Sequence, residues 1–414
     1  MHFTLLIREF FDDIRKQKTR AFLTTIAITW GTLAVILLMA FGDGLAFRMR
    51  EGLLNAGDRI LRIYGGQTTI KYKGLPVGRR IRLTRDDAAI LIDSIPQIAA
   101  VNPGYDKGVR LRCGGRTAST HMEGVNPEFE FLRRTYHGAG GRFINEKDLI
   151  EKRRVVFLGG VVAGELFGRE DPVGRTIELD GMPFKVIGIM PKKLQTSMNY
   201  GPDDRRAIIP FTTFETIYGY RYLGELIAKP ARPQECEYVE SEIRRILGGK
   251  YRFDPEDERA LPIWNFIEQE RLGARVFLGI NIFLFVVGSM TLVIAGVGVA
   301  NIMYVVAKER THEIGIKRAV GARKLHIIAQ FIFESLLICL SGGVLGMAAA
   351  VGIIKLIWTI PVQEGAMEFL GRPLLSSWVI IVSVGILTLI GLLAGLFPAR
   401  KAANVDPVEA LRYE

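Results

Sequence analysis

Residues 308–324 read KERTHEIGIKRAVGARK and carry six basic and two acidic side chains in 17 residues. Long apolar segments flank this stretch, residues 276–307 before it and residues 325–354 after it. The first segment contains no Asp, Glu, Lys or Arg, and the second contains only Glu334. About 20 apolar residues cross the hydrocarbon core of a bilayer, so each segment is long enough to be a transmembrane helix.

Two further segments, residues 21–41 and 374–397, also contain no Asp, Glu, Lys or Arg. The alternative for each segment is a buried helix in the core of a large soluble protein. Four such runs in 414 residues favour a membrane protein instead. A hydrophobic fraction of 49% and a mean hydropathy of +0.22 agree with this. The sequence therefore predicts four transmembrane helices.

The first apolar segment is predicted to be an uncleaved anchor. A cleaved signal peptide has a short basic head and an apolar run of about 7 to 15 residues, whereas here 20 residues precede a run of 21. In residues 1–20, Phe3, Leu6 and Phe10 fall on one helical face. This pattern predicts a helix in the membrane interface, although a soluble amphipathic helix has the same pattern.

The distribution of positive charge predicts the orientation in the membrane. Four spans place residues 1–20, 308–324 and 398–414 on one side, and these segments hold 14 Lys and Arg in 54 positions. Short cytoplasmic loops accumulate Lys and Arg, so both termini are expected to be cytoplasmic. The rest of the net charge of +11 is spread thinly, which argues against nucleic-acid binding.

Residues 42–275 are then expected to form an extracytoplasmic domain between the first and second spans. Strand-like and helix-like patterns are mixed there, which predicts an α/β or α+β fold. Two hairpins are predicted at residues 109–125 and 176–189, because a Gly-Gly or Asp-Gly pair lies at the turn of each. Thr84 and Asp87 have the spacing of a capping box at the start of a helix.

The sequence contains none of the catalytic motifs that we sought. It has no G-x-x-x-x-G-K-[ST] phosphate-binding loop, no H-E-x-x-H metal motif and no G-x-S-x-G nucleophile elbow. The acidic pairs Asp86-Asp87 and Asp203-Asp204 are expected to be caps or solvated turns. We therefore predict no catalytic residue, no metal site and no cofactor bound by this chain.

The three cysteines leave two alternatives open. Cys113 and Cys236 lie in the predicted extracytoplasmic domain, and Cys339 lies in the third span. An oxidising compartment permits a disulfide between the first two, but sequence alone does not pair them. Two buried thiols are the other alternative.

The third and fourth spans carry further features. Glu334 is interpreted as an interfacial carboxylate near the start of a helix, and a buried relay group is the alternative. Gly342 and Gly346 in the third span, like Gly391 and Gly395 in the fourth, have the G-x-x-x-G spacing. This spacing favours tight helix packing or dimerisation.

Residues 308–324 have a pattern of their own. Ile314, Ile316 and Val320 are apolar among charged neighbours, and Gly315 and Gly321 permit bends or close contact. A short helix with an apolar and a basic surface is typical of a docking element under the membrane. The alternative is a basic anchor that binds only lipid head groups.

Several stretches resemble ABC transporter permeases of the MacB/FtsX type. The quoted stretch is followed by QFIFESLL at 330–337 and SGGVLG at 341–346, and the chain ends with FPARKAANVDPVEALR at 397–412. VVFLGGVVAGELFGREDPVGRTIELDGMPFKVIGIM at 155–190 is similar to the periplasmic core of that family. The resemblance covers nearly the whole chain and implies that the protein lies in the cell inner membrane.

The resemblance implies a coupling element at residues 311–322 that seats on a separate cytoplasmic ATPase subunit. The ATP and Mg²⁺ would be bound by that subunit. Two permease chains, identical or different, would pair with two ATPase chains, and a periplasmic adaptor and an outer-membrane channel are possible further partners. The implied coupling residues are Glu313, Ile314, Gly315, Ile316, Lys317, Arg318, Gly321 and Ala322.

The resemblance also implies how the chain divides. The extracytoplasmic domain would contain two porter-like β-α-β units, residues 46–106 and 206–275, with an inserted subdomain at 107–205. Stalks at 43–58 and 267–275 would transmit motion. The predicted segments are an interfacial helix at 1–20, transmembrane helices at 21–41, 276–307, 325–354 and 374–397, a domain at 42–275, a coupling segment at 308–324, a periplasmic loop at 355–373 and a cytoplasmic tail at 398–414.

The implied function is transport driven by ATP hydrolysis on a partner, with motion transmitted to a periplasmic substrate. Macrolide exporters carry the ATPase ahead of the first span, whereas only 20 residues precede it here, so a stand-alone permease is expected. Export of a drug, peptide or lipid, release of lipoproteins and control of cell-wall hydrolases are all compatible. The rival hypotheses are a membrane receptor or scaffold without an ATPase and a membrane-anchored periplasmic enzyme.

Overall fold

The computed structural model describes residues 18–195, 201–360 and 371–404. Of the predicted segments, residues 1–17 of the interfacial helix at 1–20, residues 361–370 of the loop at 355–373 and residues 405–414 of the tail at 398–414 lie outside these residues. The chain divides into a helical unit, Met1–Arg48 with Arg275–Glu414, and a core unit, Met49–Ala274.

The helices in the described residues are α1 (Lys18–Ala56), α2 (Arg85–Ser94), α3 (Phe129–Leu132), α4 (Glu146–Ile150), α5 (Gly160–Phe167), α6 (Phe211–Tyr218), α7 (Cys236–Tyr251), α8 (Phe266–Glu309), α9 (Thr311–Ala319), α10 (Lys324–Thr359) and α11 (Ser377–Ala403). The strands are β1 (Leu61–Ile63), β2 (Ile98–Cys113), β3 (Arg116–Val125), β4 (Val155–Gly159), β5 (Thr176–Leu179), β6 (Met182–Met190), β7 (Arg206–Pro210), β8 (Glu225–Pro230) and β9 (Ile263–Asn265).

The helical unit contains the four predicted spans. Among the described residues, α1, α8, α10 and α11 are long and apolar enough to cross a membrane. In the most apolar stretch of each of these helices, only 28% to 39% of the residues are buried within the chain. So much exposed apolar surface is unfavourable in water and is satisfied by lipid. The prediction of four transmembrane helices is confirmed.

Two of the spans extend ten or more residues beyond one end of their apolar segments. The first helix continues without a break to Ala56, and α8 begins at Phe266, ten residues before the predicted span. The chain therefore passes from one unit to the other within α1 and within α8. Both stalk segments predicted from the sequence are helical, apart from residues 57 and 58.

The first half of the core unit is an antiparallel sheet in the order β2–β8–β1–β9. Apolar residues of α2 and α7 pack against it, among them Leu91, Val239 and Ile243. The connections are β1–α2–β2 and β8–α7–β9, which are two β-α-β units. The second unit begins with β8 at Glu225. The boundary predicted at residue 206 is wrong, because β7 pairs with β3 and β4 instead.

The second half of the core unit is a closed ring of six strands. The pairings β2–β3, β3–β7, β7–β4, β4–β6, β6–β5 and β5–β2 return to the strand from which they start. Leu111, Ile177 and Phe184 are buried in its apolar core. Both predicted hairpins are confirmed as β2–β3 and β5–β6. Their turns contain Gly114 and Gly181, which have positive φ angles of 56° and 82°.

Candidate functional site

The predicted coupling segment forms α9, a nine-residue helix between two spans. A turn with the bonds of a Schellman motif ends it: Gly321 N donates to Arg318 O at 3.1 Å, and Ala322 N donates to Lys317 O at 3.0 Å. Gly321 has a φ of +102°, which a residue with a side chain rarely adopts. Gly321 and Ala322 therefore cap the helix and turn the chain into α10.

The two faces of α9 differ in burial. Ile314 is only 6% exposed and belongs to the apolar core of the helical unit. Gly315 is also buried. On the opposite face, Glu313 and Lys317 are exposed, together with the apolar residues Ile316, at 45% exposure, and Val320, at 84%. We call Glu313, Ile316, Lys317 and Val320 the outer face of α9.

Arg318 has a different position from the one that its predicted docking role implies. Its Nη1 donates to the carbonyl oxygen of Ala403 at 2.8 Å, at the end of α11. A cation is favourable there, because the last carbonyls of a helix carry partial negative charge. Arg318 thus holds α9 against α11. Lys317 Nζ lies 3.4 Å from Gln330 Oε1 and its side chain is exposed.

Glu334 does not lie near a helix start. The third span, α10, begins ten residues earlier at Lys324, so the helix-start part of that interpretation is wrong, and the interfacial position stays a prediction. Arg310 Nη1 donates to its two carboxylate oxygens at 3.1 and 3.2 Å. Gln330 Nε2 donates to Oε1 at 3.2 Å. The carboxylate is therefore buried as part of an ion pair.

The glycine pairs lie where helices of this chain approach closely. A Cβ on Gly342 would lie 2.8 Å from Ile28 Cβ, and one on Gly346 would lie 2.6 Å from Thr29 O, both in α1. A Cβ on Gly391 would lie 3.0 Å from Leu336 in α10. Gly395 likewise faces α10, where its Cβ would meet Ile332, Phe331 and Ser335. These glycines let α10 pack between α1 and α11.

A buried cluster of charged residues in the core unit was not predicted. Arg62 Nε donates to Glu225 Oε2 at 2.8 Å, and Arg206 pairs with Glu123. The members come from β1, β8, β7 and β3, so no local spacing reveals the cluster. Burial raises the pKa of the Glu123 carboxyl group, because the charged form loses its hydration.

Asp203 lies in the same part of the core unit. The sequence predicts a cap or a solvated turn for Asp203 and Asp204, but they are only 2% and 6% exposed, so the solvated turn is wrong. Arg133 Nη2 lies 2.7 Å from Oδ1 of Asp203, and Lys193 Nζ lies 2.8 Å from its Oδ2. Burial alone would raise the pKa of Asp203, but the cations of Arg133, Lys193 and Arg206 hold it below its usual range.

Asp87 is a cap, as the sequence predicts. Its Oδ2 accepts a hydrogen bond from Thr84 N at 2.7 Å at the start of α2. Tyr251 Oη also donates to Oδ2, at 2.6 Å. Asp87 therefore joins α2 to α7. Among the described residues, no group of three or more His, Cys, Asp or Glu could hold a metal ion.

The cysteines are free thiols in the structure. Cys236 is buried, and its Sγ donates to Asn265 Oδ1 at 3.3 Å. Burial raises the pKa of Cys236 to about 11, so only a small fraction is the reactive thiolate at neutral pH. Cys113 is partly exposed.

We expect a Cys339→Ala chain to react with a maleimide at pH 7.5 at Cys113 at least about tenfold faster than at Cys236, because burial and the raised pKa protect Cys236. Mass spectrometry of the labelled peptides measures both rates. A denatured and reduced sample is the control, in which both thiols react. A chain in which neither thiol reacts until it is reduced would contradict the free-thiol structure.

Two protein families match this chain. The MacB-like periplasmic core domain matches residues 21–246, which is more than half of the chain, and the FtsX-like permease C-terminal region matches residues 285–407. The chain belongs to the MacB/FtsX family of permeases. It is a multi-pass membrane protein with four transmembrane helices and a large α/β domain between the first and second of them.

Curated relatives are similar over the whole chain. A macrolide export ATP-binding/permease protein MacB from Bdellovibrio bacteriovorus is 29% identical over 413 residues, covering 98% of this chain. A protein of the same name from Chlorobium phaeobacteroides is 32% identical over 417 residues, covering all of it. This MacB/FtsX-family chain spans about three fifths of the length of these relatives, 61% in both cases.

Two solved structures are similar to part of this permease. The periplasmic region of MacB from Actinobacillus actinomycetemcomitans matches 54% of this chain and 95% of its own, with 18% identity and a TM-score of 0.42. The extracellular domain of the noncanonic ABC-type transporter YknZ from Gram-positive bacteria matches 50% of this chain and all of its own, with 16% identity and a TM-score of 0.41.

Proposed function

We propose that this chain is the membrane subunit of an ABC exporter. A cytoplasmic ATPase binds the outer face of α9, and ATP hydrolysis on that subunit moves the spans. Because α1 and α8 each continue from the helical unit into the core unit, such movement reaches the core unit through unbroken helices. The core unit then acts on a substrate in the periplasm.

The observation that carries this proposal is the exposure of Ile316 and Val320 on a helix that is otherwise held in place. Val320 is 84% exposed, although Ile314 on the other face is buried. Exposed apolar residues beside charged ones are typical of a protein contact, in which the apolar residues become buried. Glu313 makes a purely lipid-binding anchor less favourable, since anionic head groups repel a carboxylate.

The proposed orientation places α9 and both termini in the cytoplasm and the core unit in the periplasm. It rests on the Lys and Arg content of the short segments around α9 and at the two ends of the chain. An ATPase can reach α9 only in this orientation.

The nucleotide belongs to the partner in this proposal. The sequence has no phosphate-binding loop, so ATP and Mg²⁺ are held by the ATPase subunit. Two copies of this chain, or this chain and a related one, complete the transporter. A periplasmic adaptor and an outer-membrane channel carry the substrate onward.

Export is proposed because the curated relatives carry the name of macrolide export proteins. The substrate class is a drug, peptide or lipid that enters from the periplasm. Lipoprotein release and the control of cell-wall hydrolases are the alternatives within the family.

The test is purification of the chain from its native membrane in mild detergent, followed by identification of the proteins that accompany it. We expect an ATPase with a phosphate-binding loop near one-to-one stoichiometry, and ATP hydrolysis by the complex. Repeated recovery of the chain alone, under conditions that preserve other membrane complexes, would support a receptor or scaffold instead.

Replacement of Val320 by aspartate is expected to reduce the recovery of the ATPase at least about tenfold, because a buried interface residue becomes a desolvated charge. Quantitative mass spectrometry of the purified complex measures the loss. Ile150→Asp is the matched control, since Ile150 is similarly exposed, at 78%, but lies in the core unit. Equal recovery from Val320→Asp and wild type would contradict docking on the outer face.

A further inference from the structure

Arg310 is the single residue between α8 and α9, and its side chain is bound to a third helix. The eighth helix ends at Glu309, and α9 begins at Thr311. Arg310 Nη1 lies 3.1 and 3.2 Å from the two carboxylate oxygens of Glu334 in α10. The two side chains are 16% and 9% exposed. A junction between helices is therefore tied to α10 by a largely buried charge pair.

The backbone continues through the same junction. Arg310 N donates to Val306 O at 3.0 Å, and Ile314 N donates to Arg310 O at 2.9 Å. Thr311 Oγ1 donates to Lys308 O at 2.8 Å. Hydrogen bonds thus link the end of α8 and the first turn of α9 on both sides of Arg310. Because of these hydrogen bonds, α9 cannot bend freely relative to α8 at Arg310.

The acceptor is held as firmly as the donor. Gln330 lies one turn before Glu334 in α10, and its Nε2 donates to Glu334 Oε1 at 3.2 Å. A buried carboxylate with two donors keeps one orientation, because each other orientation leaves a charge unsatisfied. Separating Arg310 from Glu334 would leave two poorly hydrated charges next to the apolar span. Moving α9 without α10 is therefore unfavourable.

A second contact between α9 and a transmembrane helix lies at the other end of α9. Arg318 Nη1 donates to Ala403 O at the end of α11. The short helix is thus attached to α10 near its start and to α11 near its end, while its outer face stays exposed. A load on the outer face is transmitted to both spans.

We infer that the Arg310–Glu334 pair is the joint that makes α9 and α10 move as one body when the ATPase moves α9. The two residues are positioning residues. They contact neither nucleotide nor transported substrate, and they act through the helices that they join. The transmission role rests on the proposed function, whereas the rigidity of the joint is a property of this chain alone. The two are therefore tested separately.

The first experiment measures the joint without any ATPase. Nitroxide labels are placed at Ala319 in α9 and Val344 in α10, both exposed, in a full-length chain whose three cysteines are replaced by alanine. Pulsed electron paramagnetic resonance in lipid nanodiscs gives the distribution of the distance between them. We expect a narrow distribution for the parent chain and a clearly broader one for Glu334→Gln. A Glu334→Gln distribution as narrow as that of the parent would overturn the inference.

Two further variants make the result specific to the pair. Exchange of the charges in Arg310→Glu with Glu334→Arg restores opposite charges and is expected to narrow the distribution again. Arg20→Gln is the matched control, because it removes an ion pair of 2.8 Å to Glu309 that is 47% and 44% exposed. Broadening in Arg20→Gln equal to that in Glu334→Gln would also overturn the inference. Arg310→Gln replaces Glu334→Gln if the latter fails to accumulate in the membrane.

The second experiment uses the complex with the ATPase. We expect Glu334→Gln to recover as much ATPase as wild type, because the outer face is unchanged, but to show about tenfold less ATP-driven transport of a radiolabelled macrolide. The charge-exchanged chain is expected to regain transport. Loss of ATPase recovery in proportion to transport would overturn the role in transmission. If no ATPase accompanies even the wild type, the proposed function is wrong. The distance measurement still tests whether the Arg310–Glu334 pair holds α9 rigidly against α10.

Discussion

Replacement of Asp203 by alanine is expected to lower the free energy of unfolding of the core unit by about 3–5 kcal/mol. Asp203 is 2% exposed, and its carboxylate lies 2.7 Å from Arg133 and 2.8 Å from Lys193. Its removal leaves these cations buried without their anion. The cost is large because neither cation regains full hydration in the folded protein.

The effect of Asp203→Ala is also expected to depend on pH. The neighbouring cations hold the pKa of Asp203 below its usual range in the folded state. A depressed folded pKa contributes stability that is present above the unfolded pKa of about 3.9 and is lost as the pH falls below it. The difference between wild type and variant should therefore be constant from pH 7 to about pH 5 and shrink at lower pH.

Hydrogen exchange of β3 and β7 in increasing urea, measured by mass spectrometry on the full chain, gives these free energies. Asp203→Asn keeps the size of the side chain and is expected to be similarly destabilising, which separates loss of charge from loss of volume. Glu151→Ala is the control, because Glu151 pairs with Arg153 at an exposed site. Such a pair contributes less than about 1 kcal/mol to the free energy of unfolding. If both Asp203 variants are as stable as wild type, the ion pairs of Asp203 with Arg133 and Lys193 do not contribute to the free energy of unfolding, and the prediction is wrong.

Substitution of Gly346 by leucine is expected to disrupt the helical unit, at a cost of about 3 kcal/mol. A Cβ at this position would lie 2.6 Å from Thr29 O and 2.8 Å from Thr32 Cβ. Both atoms belong to α1, and Thr29 Oγ1 also lies 3.2 Å from Gly342 O in α10. A leucine side chain cannot fit unless the two helices separate, and separation breaks the contacts along α1 and α10.

Gly352→Leu is the matched control for this prediction. Gly352 lies in the same helix and is exposed, and among the described residues no atom outside the neighbouring turns of its own helix lies within 4 Å of the position of its Cβ. The measurement is the temperature at which the full chain in detergent loses its monodisperse elution peak. We expect a large decrease for Gly346→Leu and almost none for Gly352→Leu. Equal decreases would indicate that leucine disturbs α10 for a reason other than contact with α1.

Part of the description of α9 could be predicted from the sequence. The alternation of apolar and charged residues in 308–324 predicts a short amphipathic helix, and the structure has one at Thr311–Ala319. The pattern does not show which side chains face inward. Arg318 binds the end of α11, whereas Lys317 beside it is exposed. Two adjacent basic residues therefore have different environments. The difference is caused by contacts with a helix that is distant in sequence.

The four membrane spans, the two hairpins and the α/β character of the core unit could all be predicted from the sequence. Each depends on local properties: uncharged length, turn residues and the period of apolar positions. The partner of Glu334, the buried charges around Asp203 and the sheet to which β7 belongs could not be predicted, because they depend on how the elements pack. Those features join residues that are distant in sequence, and a charge pair or strand pair leaves no periodic pattern in the chain. Their energies come from burial, which exists only after the elements have packed.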